Sequence, residues 1–544
     1  MNDVNDPLSS IGLCFSGGGY RAAAFSLGVL SYLHRIHYKE APLLEQVEAL
    51  STVSGGTITG VCYAHSTYTA GSFEDFYSAF YRFLDEDLLL EKALNKLEDH
   101  GFWKGIPKKR SLINAFASAY EEMLPSGTFK AFDRPGAIHL KDVCFNATDF
   151  AYGLAFRFQN SGYFGNKPLY SPTLNTLKGN IRLSDVIASS SCFPFGFEPM
   201  IFPDDYFGDH TSEHYRELKQ KEKYRHGIGL MDGGIVDNQG IGSMVNIDKR
   251  RKSPLGTIIV CDVGSYNMDQ WEQAADSKGT GKPGKTLNRL LSNVLRLLKF
   301  KWYYWGTALA GVLLVGLNSM NLFFSRSWDF LYVAGGLLTG VGLVLMVIGS
   351  FTTLLRAGIK IFMNNLYQKN VPKELVDDVA TFQKLDIALV RRMLAERLTS
   401  AVTMISEVFL NQIRRLNYRL LYEKEAYKHR AVTSTVYQLN GVKSTLGIGF
   451  KPNQGIRPSP SPKIQESSLI ASQMPTTLWW DDDDRSVNRL ENLIACGQFT
   501  TCYNLMDYIL TLKNSGVSSA ALDKLFHDLR EDWKEFNNSP RKFV

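Results

Sequence analysis

Ser54 lies in a segment whose composition could make a serine nucleophilic. The segment is Thr52-Val53-Ser54-Gly55-Gly56, at the end of a strand-like run at 49–53. A serine on a sharp strand-to-helix turn can present its hydroxyl to a base and to oxyanion donors, and the usual pattern of such an elbow is Gly-x-Ser-x-Gly. Gly56 supplies the second glycine, whereas Thr52 replaces the first. Serine beside glycine is also common in ordinary turns, so this motif alone only nominates Ser54.

A glycine-rich turn upstream could bind an anion. Ser16-Gly17-Gly18-Gly19-Tyr20-Arg21 joins an apolar run at 11–15 to a helix-forming segment at 21–33. The N–H groups of Gly17, Gly18 and Gly19 at a helix N-terminus would favour negative charge, and an oxyanion carries such a charge. A phosphate-binding loop is the competing interpretation, but no Gly-Lys-Ser/Thr follows. Arg21 could hold this loop, pair with a substrate phosphate, or form an ordinary ion pair on the helix surface.

A carboxylate that could take the serine proton follows another apolar run. Met231-Asp232-Gly233-Gly234 ends the run at 228–231, although Asp-Gly-Gly by itself is more often only a turn. The ten histidines lie in no catalytic motif, and His65, after the elbow, is the best candidate for a third member of a triad. A structural role is the more ordinary one for His65. No carboxylate or His/Cys cluster implies a metal, and we expect no cofactor.

These motifs need a parallel sheet to position them. Two strand–turn–helix units lie within the first 65 residues, which is typical of an α/β domain. The region 73–120 and the region 386–430 have helical composition. Further strands are predicted at 143–148, 154–158, 200–202, 228–231 and 256–263.

In this order, the glycine-rich turn, the serine elbow and the Asp-Gly-Gly motif resemble the patatin-like phospholipase family. Phe145-Asn146-Ala147-Thr148-Asp149 is similar to the family's central strand, and residues 188–194 to its Ala-Ser-x-x-x-x-Pro segment. Residues 474–478 and 493–497 resemble the tail of bacterial members. The resemblance implies a three-layer α/β fold with a mostly parallel central sheet. It also implies a Ser-Asp dyad without histidine.

The same resemblance assigns the site residues. Ser54 would be the nucleophile, Asp232 the base, and the N–H groups of Gly17, Gly18 and Gly19 the oxyanion hole. Gly56, Arg21, Gly233 and Gly234 would support the elbow and the dyad. Because a side chain at Thr52 could tilt the elbow, the departure there leaves the magnitude of the activity open.

Two long uncharged stretches predict a membrane hairpin. Residues 303–324 and 330–355 carry no charged side chain, and each exceeds the roughly 20 apolar residues that cross a bilayer. Gly306, Gly311, Gly336 and Gly340 would let the two helices approach closely, with Gly336 and Gly340 at the small-residue spacing of packed membrane helices. Two buried helices of a soluble core are the alternative interpretation.

Charge around the hairpin predicts its orientation. Lysine and arginine gather outside it, at Arg296, Lys299 and Lys301 before it and at Arg356 and Lys360 after it. By the positive-inside rule, the catalytic domain and both termini are expected in the cytoplasm. The N-terminal residues show no secretory signal. Seven scattered cysteines are consistent with free thiols in a reducing compartment.

The predicted organisation has five parts. They are a patatin-like catalytic domain at 8–265, a basic linker at 266–301, a transmembrane hairpin at 302–356, a helical and strand continuation of the domain at 383–515 with a flexible stretch at 450–474, and a C-terminal amphipathic helix and tail at 516–544. A net charge of +6 on 544 residues argues against a nucleic-acid binder.

The sequence therefore predicts a membrane-anchored serine acyl hydrolase whose substrate is membrane glycerophospholipid. The alternatives are a lipid acyltransferase, a catalytically weak membrane scaffold, and a regulated effector that damages membranes. Nothing in the sequence fixes the oligomeric state, and a homo-oligomer is compatible with it.

Overall fold

The computed structural model describes residues 6–133, 138–264, 301–320, 328–370, 387–442 and 459–544. They fall into two compact units, one comprising Met1–Asp269 and Met404–Val544 and the other Gln270–Thr403. The predicted basic linker, apart from Lys301, lies outside the described residues, as does the part of the predicted flexible stretch at 450–458.

Strands alternate with helices along much of the chain. The strands are β1 (Ile11–Phe15), β2 (His37–Tyr38), β3 (Ala41–Pro42), β4 (Val47–Val53), β5 (Asp142–Asp149), β6 (Leu154–Gln159), β7 (Met200–Phe202), β8 (Ile228–Asp232), β9 (Thr257–Asp262) and β10 (Ala431–Thr435). The α-helices up to the first long gap are α1 (Gly19–Arg35), α2 (Gly55–Tyr68), α3 (Phe73–Glu86), α4 (Leu89–Glu98), α5 (His100–Lys104), α6 (Leu112–Tyr120), α7 (Pro172–Leu177), α8 (Leu183–Ser190), α9 (Glu213–Gln220), α10 (Glu222–Arg225), α11 (Gly234–Asp237) and α12 (Ile241–Arg250).

The later helices include those of the second unit. They are α13 (Tyr303–Ser319), α14 (Asp329–Asn370), α15 (Ile387–Thr403), α16 (Leu410–Tyr422), α17 (Glu425–Lys428), α18 (Pro462–Ser472), α19 (Asp482–Ser486), α20 (Arg489–Asn514) and α21 (Ala520–Asn538). A π-helix, Met404–Phe409, separates α15 from α16, and short 3₁₀ helices cover Leu43–Gln46, Phe129–Asp133 and Lys178–Asn180.

The first unit is built on an eight-stranded sheet of order β10-β9-β1-β4-β5-β8-β7, with β6 paired to β5. The pairs from β10 to β5 are parallel, and those of β6, β7 and β8 are antiparallel. The predicted α/β fold with a mostly parallel sheet is confirmed. Every strand predicted from the sequence is present. The two-residue strands β2 and β3 were not predicted, and neither was β10, which follows a long helical pattern.

Helices cover both faces of this sheet. Along β1, Leu13 and Phe15 belong to the larger hydrophobic core, whereas Cys14 belongs to a second, smaller one. This alternation is the period of a strand buried on both faces. The larger core includes α1, α2 and α20, and the smaller one includes α12 and α16. The unit therefore has three layers.

One edge of β5 is shared by two partner strands. β4 pairs with it in parallel as far as Val53 opposite Asn146, and β8 pairs antiparallel from Asp232 opposite Ala147. β6 runs along β5 opposite residues from both stretches, so it occupies the other edge. The end of β4 and the end of β8 consequently meet at adjacent residues of β5.

Helix α1 is held by α20 through a contact between two glycines. A Cβ added at Gly28 would lie 2.0 Å from the carbonyl oxygen of Ile494, and one added at Gly497 would lie 2.2 Å from that of Phe25. The two helix backbones therefore touch directly. This contact fixes α1, which carries the glycine-rich turn at its N-terminus.

The second unit contains a close pair of helices, α13 and α14. Gly311 packs against Gly335 and Thr339, and Gly342 packs against Ala308. The side-chain amide of Asn318 also joins the end of α13 to both backbone groups of Trp328, at 3.0 and 3.2 Å. Small residues thus bring the helices together, as predicted for Gly311.

The predicted glycine contacts were otherwise wrong. A Cβ added at Gly336 or Gly340 would meet no described residue within 4 Å, and one at Gly306 would meet, among the described residues, Trp302 of the preceding turn. Residues 335, 339 and 342 lie on one helical face, and positions 336 and 340 lie about 100° around it. Spacing alone did not show which face turns inward.

The C-terminal part of the chain also corrects one prediction. Residues 462–472, placed in a flexible stretch, form α18, because the Ser461 hydroxyl accepts the N–H of Ile464 and Pro462 occupies the first turn. A proline run excludes a helix interior but favours a helix start. The predicted amphipathic helix after residue 516 is α21, with Leu525, Leu529 and Trp533 buried.

We expect Gly28→Ala to lower the free energy of unfolding of the first unit by about 1–3 kcal/mol, because the added methyl group must force two helix backbones apart. Chemical denaturation followed by circular dichroism would measure the change. Gly208→Ala is the matched control, since a Cβ there meets nothing within 4 Å. Equal stability of both variants would contradict the contact.

Candidate active site

Ser54 occupies a strained turn between β4 and α2. Its backbone has φ 51° and ψ −124°, a conformation that residues with a side chain rarely adopt. The Ser54 N–H donates to the Ser190 hydroxyl at 2.9 Å, and the same hydroxyl donates to the Asn146 carbonyl at 2.7 Å. These bonds hold the elbow on β5. The side chain of Ser54 is thereby presented at the carboxyl end of the sheet.

Thr52 packs closely against the helix that follows the elbow. Its methyl group packs where a Cβ at Gly60 would be, at 2.5 Å from that position. Its hydroxyl pairs with that of Thr57 at 2.9 Å, and Thr57 pairs with Ser190 at 2.8 Å. The bulk of Thr52 is therefore compensated by a glycine one helical turn beyond the elbow.

Asp232 lies directly against the serine. The Ser54 hydroxyl donates to Asp232 Oδ2 at 2.5 Å, and the N–H of Gly234 donates to Oδ1 at 2.7 Å. The backbone of Asp232 is fixed as well, since its N–H donates to Cys192 O and its carbonyl accepts from Thr148 Oγ1. Both carboxylate oxygens are thus oriented before any substrate binds.

Burial changes the acidity of this carboxyl group. Only 4% of Asp232 and 7% of Ser54 is exposed. Loss of hydration raises the pKa of Asp232 from 3.8 to about 6, and the hydrogen bonds from Ser54 and Gly234 oppose that rise. A carboxylate with this pKa is ionised at neutral pH yet close enough to pH 7 to exchange a proton readily.

The glycine-rich turn approaches the elbow through mutual backbone contact. A Cβ at Gly55 would lie 2.0 Å from the Gly19 oxygen, and one at Gly56 would lie 2.6 Å from the Ser16 oxygen. A Cβ at Gly17 would lie 3.1 Å from the Ser54 Cβ. Side chains at these positions would separate the two turns. The small residues predicted for the elbow therefore also bring the anion-binding turn to it.

The turn leaves two amide donors rather than the three predicted. The N–H of Gly17 donates to the carbonyl of Asn238 at 2.9 Å, so the prediction is wrong for Gly17. Gly18 and Gly19 are the cap and the first residue of α1, where N–H groups have no partner within the helix. Neither donates to another described residue. Both have positive φ, 146° and 57°, which suits glycine.

Arg21 anchors the C-terminal segment to this turn. Its guanidinium donates to the carbonyl of Met474 at 2.7 Å and to the Tyr437 hydroxyl at 3.1 Å. Burial lowers the pKa of Arg21, and the negative charges of Asp262 and Glu407 oppose that shift. The N–H of Tyr20 donates to Thr477 O in the same segment. Of the predicted roles for Arg21, the structure supports holding the loop.

The remaining predicted residues have distinct positions. A Cβ at Gly233 would lie 2.3 Å from the Asn146 carbonyl, so only glycine fits between Asp232 and β5. His65 is in the last turn of α2, and eleven residues along a helix from Ser54 correspond to about 16 Å. It is therefore not part of the site. Among the described residues, no group of three or more His, Cys, Asp or Glu side chains could hold a metal ion.

Sequence reasoning missed the side chains that join the motifs. Asn146 donates to Thr52 O at 2.9 Å and accepts from Ser243 Oγ at 2.7 Å, while Ser190 bonds both the elbow and β5. The available signal for Asn146 was a polar residue in the middle of a buried strand, between Phe145 and Ala147. Ser190 stands in a run of three serines, and composition did not distinguish it from its neighbours.

Similarity to known proteins covers the N-terminal part of the chain, which supplies the serine, the aspartate and the glycine-rich turn. Residues 13–245 match the Patatin family, described as patatin-like phospholipase. The matched range contains the glycine-rich turn, the elbow and the Asp-Gly-Gly motif. A comparison with curated proteins found no match.

We expect Asp232→Asn to raise the free energy of unfolding at pH 8 by about 2–3 kcal/mol, the equivalent of a pKa raised from 3.8 to about 6. Because the raised pKa favours the protonated folded state, the wild type loses stability as pH rises from about 4 to about 6, and the difference should be small below pH 4. Denaturation at both pH values would measure it.

Ser54→Ala is the control for this stability measurement. It keeps the buried carboxylate and removes a hydrogen bond to it, so it should not stabilise the fold. If the Asp232→Asn variant is instead less stable than the wild type at pH 8, the ionised carboxylate does not destabilise the fold, and the prediction is wrong.

Proposed function

We propose that the chain, which carries a patatin-like phospholipase domain and is therefore a lipid-hydrolysing esterase, cleaves acyl esters of membrane glycerophospholipids through a Ser54–Asp232 dyad. The observation that carries this proposal is the 2.5 Å contact between Ser54 Oγ and Asp232 Oδ2 on a strained elbow. The hydroxyl of Ser54 donates directly to the carboxylate, so no intervening histidine is needed to take its proton.

The first half of the reaction transfers the acyl group to the serine. Ser54 Oγ bonds to the ester carbonyl carbon while its proton passes to Asp232. The resulting oxyanion accepts from the N–H groups of Gly18 and Gly19, next to the positive end of α1. The ester C–O bond then breaks, and Asp232 returns the proton to the departing lysophospholipid oxygen.

The second half of the reaction releases the fatty acid. A water molecule gives a proton to Asp232 and attacks the acyl-serine carbonyl. Collapse of the second tetrahedral intermediate breaks the bond to Ser54 Oγ, which regains the proton from Asp232. One ester bond and one water are consumed for each fatty acid and lysophospholipid formed. The raised pKa of Asp232 suits both directions of proton transfer.

The proposal includes anchoring in the membrane by α13 and α14, with the catalytic domain and both termini in the cytoplasm. The segment Asp329–Phe351 of α14 is 23 residues long and, by length and composition, could cross a membrane. Large apolar side chains on both helices are exposed in the second unit, such as Trp305, Leu309 and Leu337. An apolar surface of this kind fits lipid better than water. Anchoring would raise the local concentration of phospholipid at the site.

Lipid mass spectrometry on cells expressing each variant would test the reaction. The wild type should accumulate lysophospholipid and free fatty acid. Ser54→Ala and Asp232→Asn should lose at least about 10³-fold in rate, because each removes one half of the proton transfer. Ser253→Ala, an exposed serine, is the matched control. Product formation by Ser54→Ala would end the proposal.

The pH profile of the purified enzyme gives a further check on the same reaction. The kcat/KM should fall about tenfold per unit below pH 6, since the base form of Asp232 is lost as pH drops through its pKa of about 6. If kcat/KM falls only below about pH 4, the carboxylate is hydrated and its pKa is not raised. If kcat/KM already falls below a pH above 7, another group is the base.

Extraction of membranes with alkaline carbonate would test the anchor. The wild type should stay in the pellet, and Val341→Asp combined with Val344→Asp should release it, because each charge costs about 2.5–3.5 kcal/mol in the centre of a membrane helix. Leu94→Glu, at an exposed leucine of the first unit, is the control. Release of the wild type by carbonate would contradict anchoring.

A further inference from the structure

Asn238 removes one donor from the anion-binding turn. Its backbone carbonyl accepts the N–H of Gly17 at 2.9 Å, so that, of the three glycine amides in this turn, those of Gly18 and Gly19 remain for an oxyanion. Asn238 follows α11, six residues after Asp232, so it belongs to the same turn as the proposed base. Its side chain is therefore close enough to the site to replace the lost donor.

The orientation of the Asn238 side chain is fixed by Arg414 of α16. Arg414 Nε donates to Asn238 Oδ1 at 3.0 Å. Arginine has donors only, so the oxygen must face it and the NH₂ group must face away. Arg414 in turn contacts Asp262 Oδ1 at 3.6 Å and Asn411 Oδ1 at 3.4 Å. Only 5% of Asn238 and 7% of Arg414 is exposed, so this arrangement is buried.

The NH₂ group of Asn238 faces the reacting residues. A Cβ added at Gly17 would lie 3.2 Å from Asn238 Nδ2 and 3.7 Å from Ser54 Oγ, so the two atoms flank the same glycine. A Cβ added at Gly234 would lie 2.5 Å from Nδ2 and 3.0 Å from Asp232 Oδ1. Asn238 Nδ2 donates to no other described residue. It is a held donor without an acceptor, beside the serine and the carboxylate.

We propose that the side-chain amide of Asn238 donates to the substrate oxyanion, as a third donor in place of the Gly17 N–H. The inference rests on the proposed function and deepens it. A neutral NH₂ group is suited to this position, because a cation there would pair with Asp232 and an acceptor would repel the oxyanion. Arg414 acts through Asn238 as a positioning residue and does not touch the substrate.

The contribution of such a donor is specific to the transition state. A preorganised donor bonds more strongly to the oxyanion than to the neutral ester carbonyl, so its loss should lower kcat and leave KM nearly unchanged. Removal of one oxyanion donor typically lowers kcat by about 10²–10³-fold. A residue that only stabilises the fold would lower the amount of active enzyme without weakening an oxyanion mimic.

Two variants of the full-length protein separate these roles. Asn238→Asp keeps the acceptor for Arg414 and the side-chain shape but replaces the NH₂ donor with an oxygen. Asn238→Ala removes the donor without adding charge. Both would be assayed on a soluble p-nitrophenyl ester, and their affinity for an alkyl trifluoromethyl ketone, which forms an oxyanion on the serine, would be measured. Asn175→Asp, at an exposed asparagine, is the matched control.

We expect both variants to lose about 10²-fold or more in kcat with KM within about threefold, and to bind the ketone more weakly by a similar factor. The control should match the wild type. A kcat within about threefold of the wild type in Asn238→Asp, or unchanged ketone affinity, would overturn the inference alone. Wild-type turnover equal to that of Ser54→Ala would instead overturn the proposed function, and the inference with it.

Discussion

The edge of β5 that β4 and β8 share determines the geometry of the site. β4 leaves β5 after Asn146, and β8 joins at Ala147. Ser54, which follows β4, and Asp232, which ends β8, are therefore neighbours although they are 178 positions apart in the sequence. A side chain of the same region links the two strands further, since the Ser190 hydroxyl accepts the N–H of Ser54 in the elbow and donates to the Asn146 carbonyl. Backbone hydrogen bonds of a sheet tolerate little displacement, and the contact between serine and aspartate is correspondingly fixed.

Glycine provides the second constraint by letting backbones touch. The elbow and the glycine-rich turn meet through Gly55 and Gly56, and α1 is pressed against α20 at Gly28 and Gly497. A side chain at any of these positions would move a hydrogen-bond donor relative to the serine. The C-terminal segments therefore belong to the site as much as the N-terminal motifs do. Thr477 accepts a hydrogen bond from the N–H of Tyr20, Arg414 holds Asn238, and α20 packs against α1.

The site is locally unfavourable and is held by its surroundings. Ser54 has a strained backbone, and Asp232 is a buried carboxyl group that contacts no cationic side chain in the part of the chain that the structure describes. Such features persist only where the rest of the fold over-determines them. The compensation comes from strand pairing, from the Thr52–Thr57–Ser190 hydroxyl chain and from a core that covers both faces of the sheet. The same burial that raises the pKa of Asp232 makes it a competent base near neutral pH.

The sequence by itself determined most of the local elements: seven of the strands, the elbow around Ser54, the glycine-rich turn and the Asp-Gly-Gly motif, because these depend on residue type and short-range periodicity. Only the tertiary structure decided that the Gly17 N–H bonds Asn238, that Arg21 holds the C-terminal segment, and that Gly335 and Gly342, not Gly336 and Gly340, face α13. Each of these depends on which of several equivalent groups meets a partner distant in the chain. Local sequence patterns indicate which hydrogen bonds and contacts a residue can form, and long-range packing decides which of them it does form.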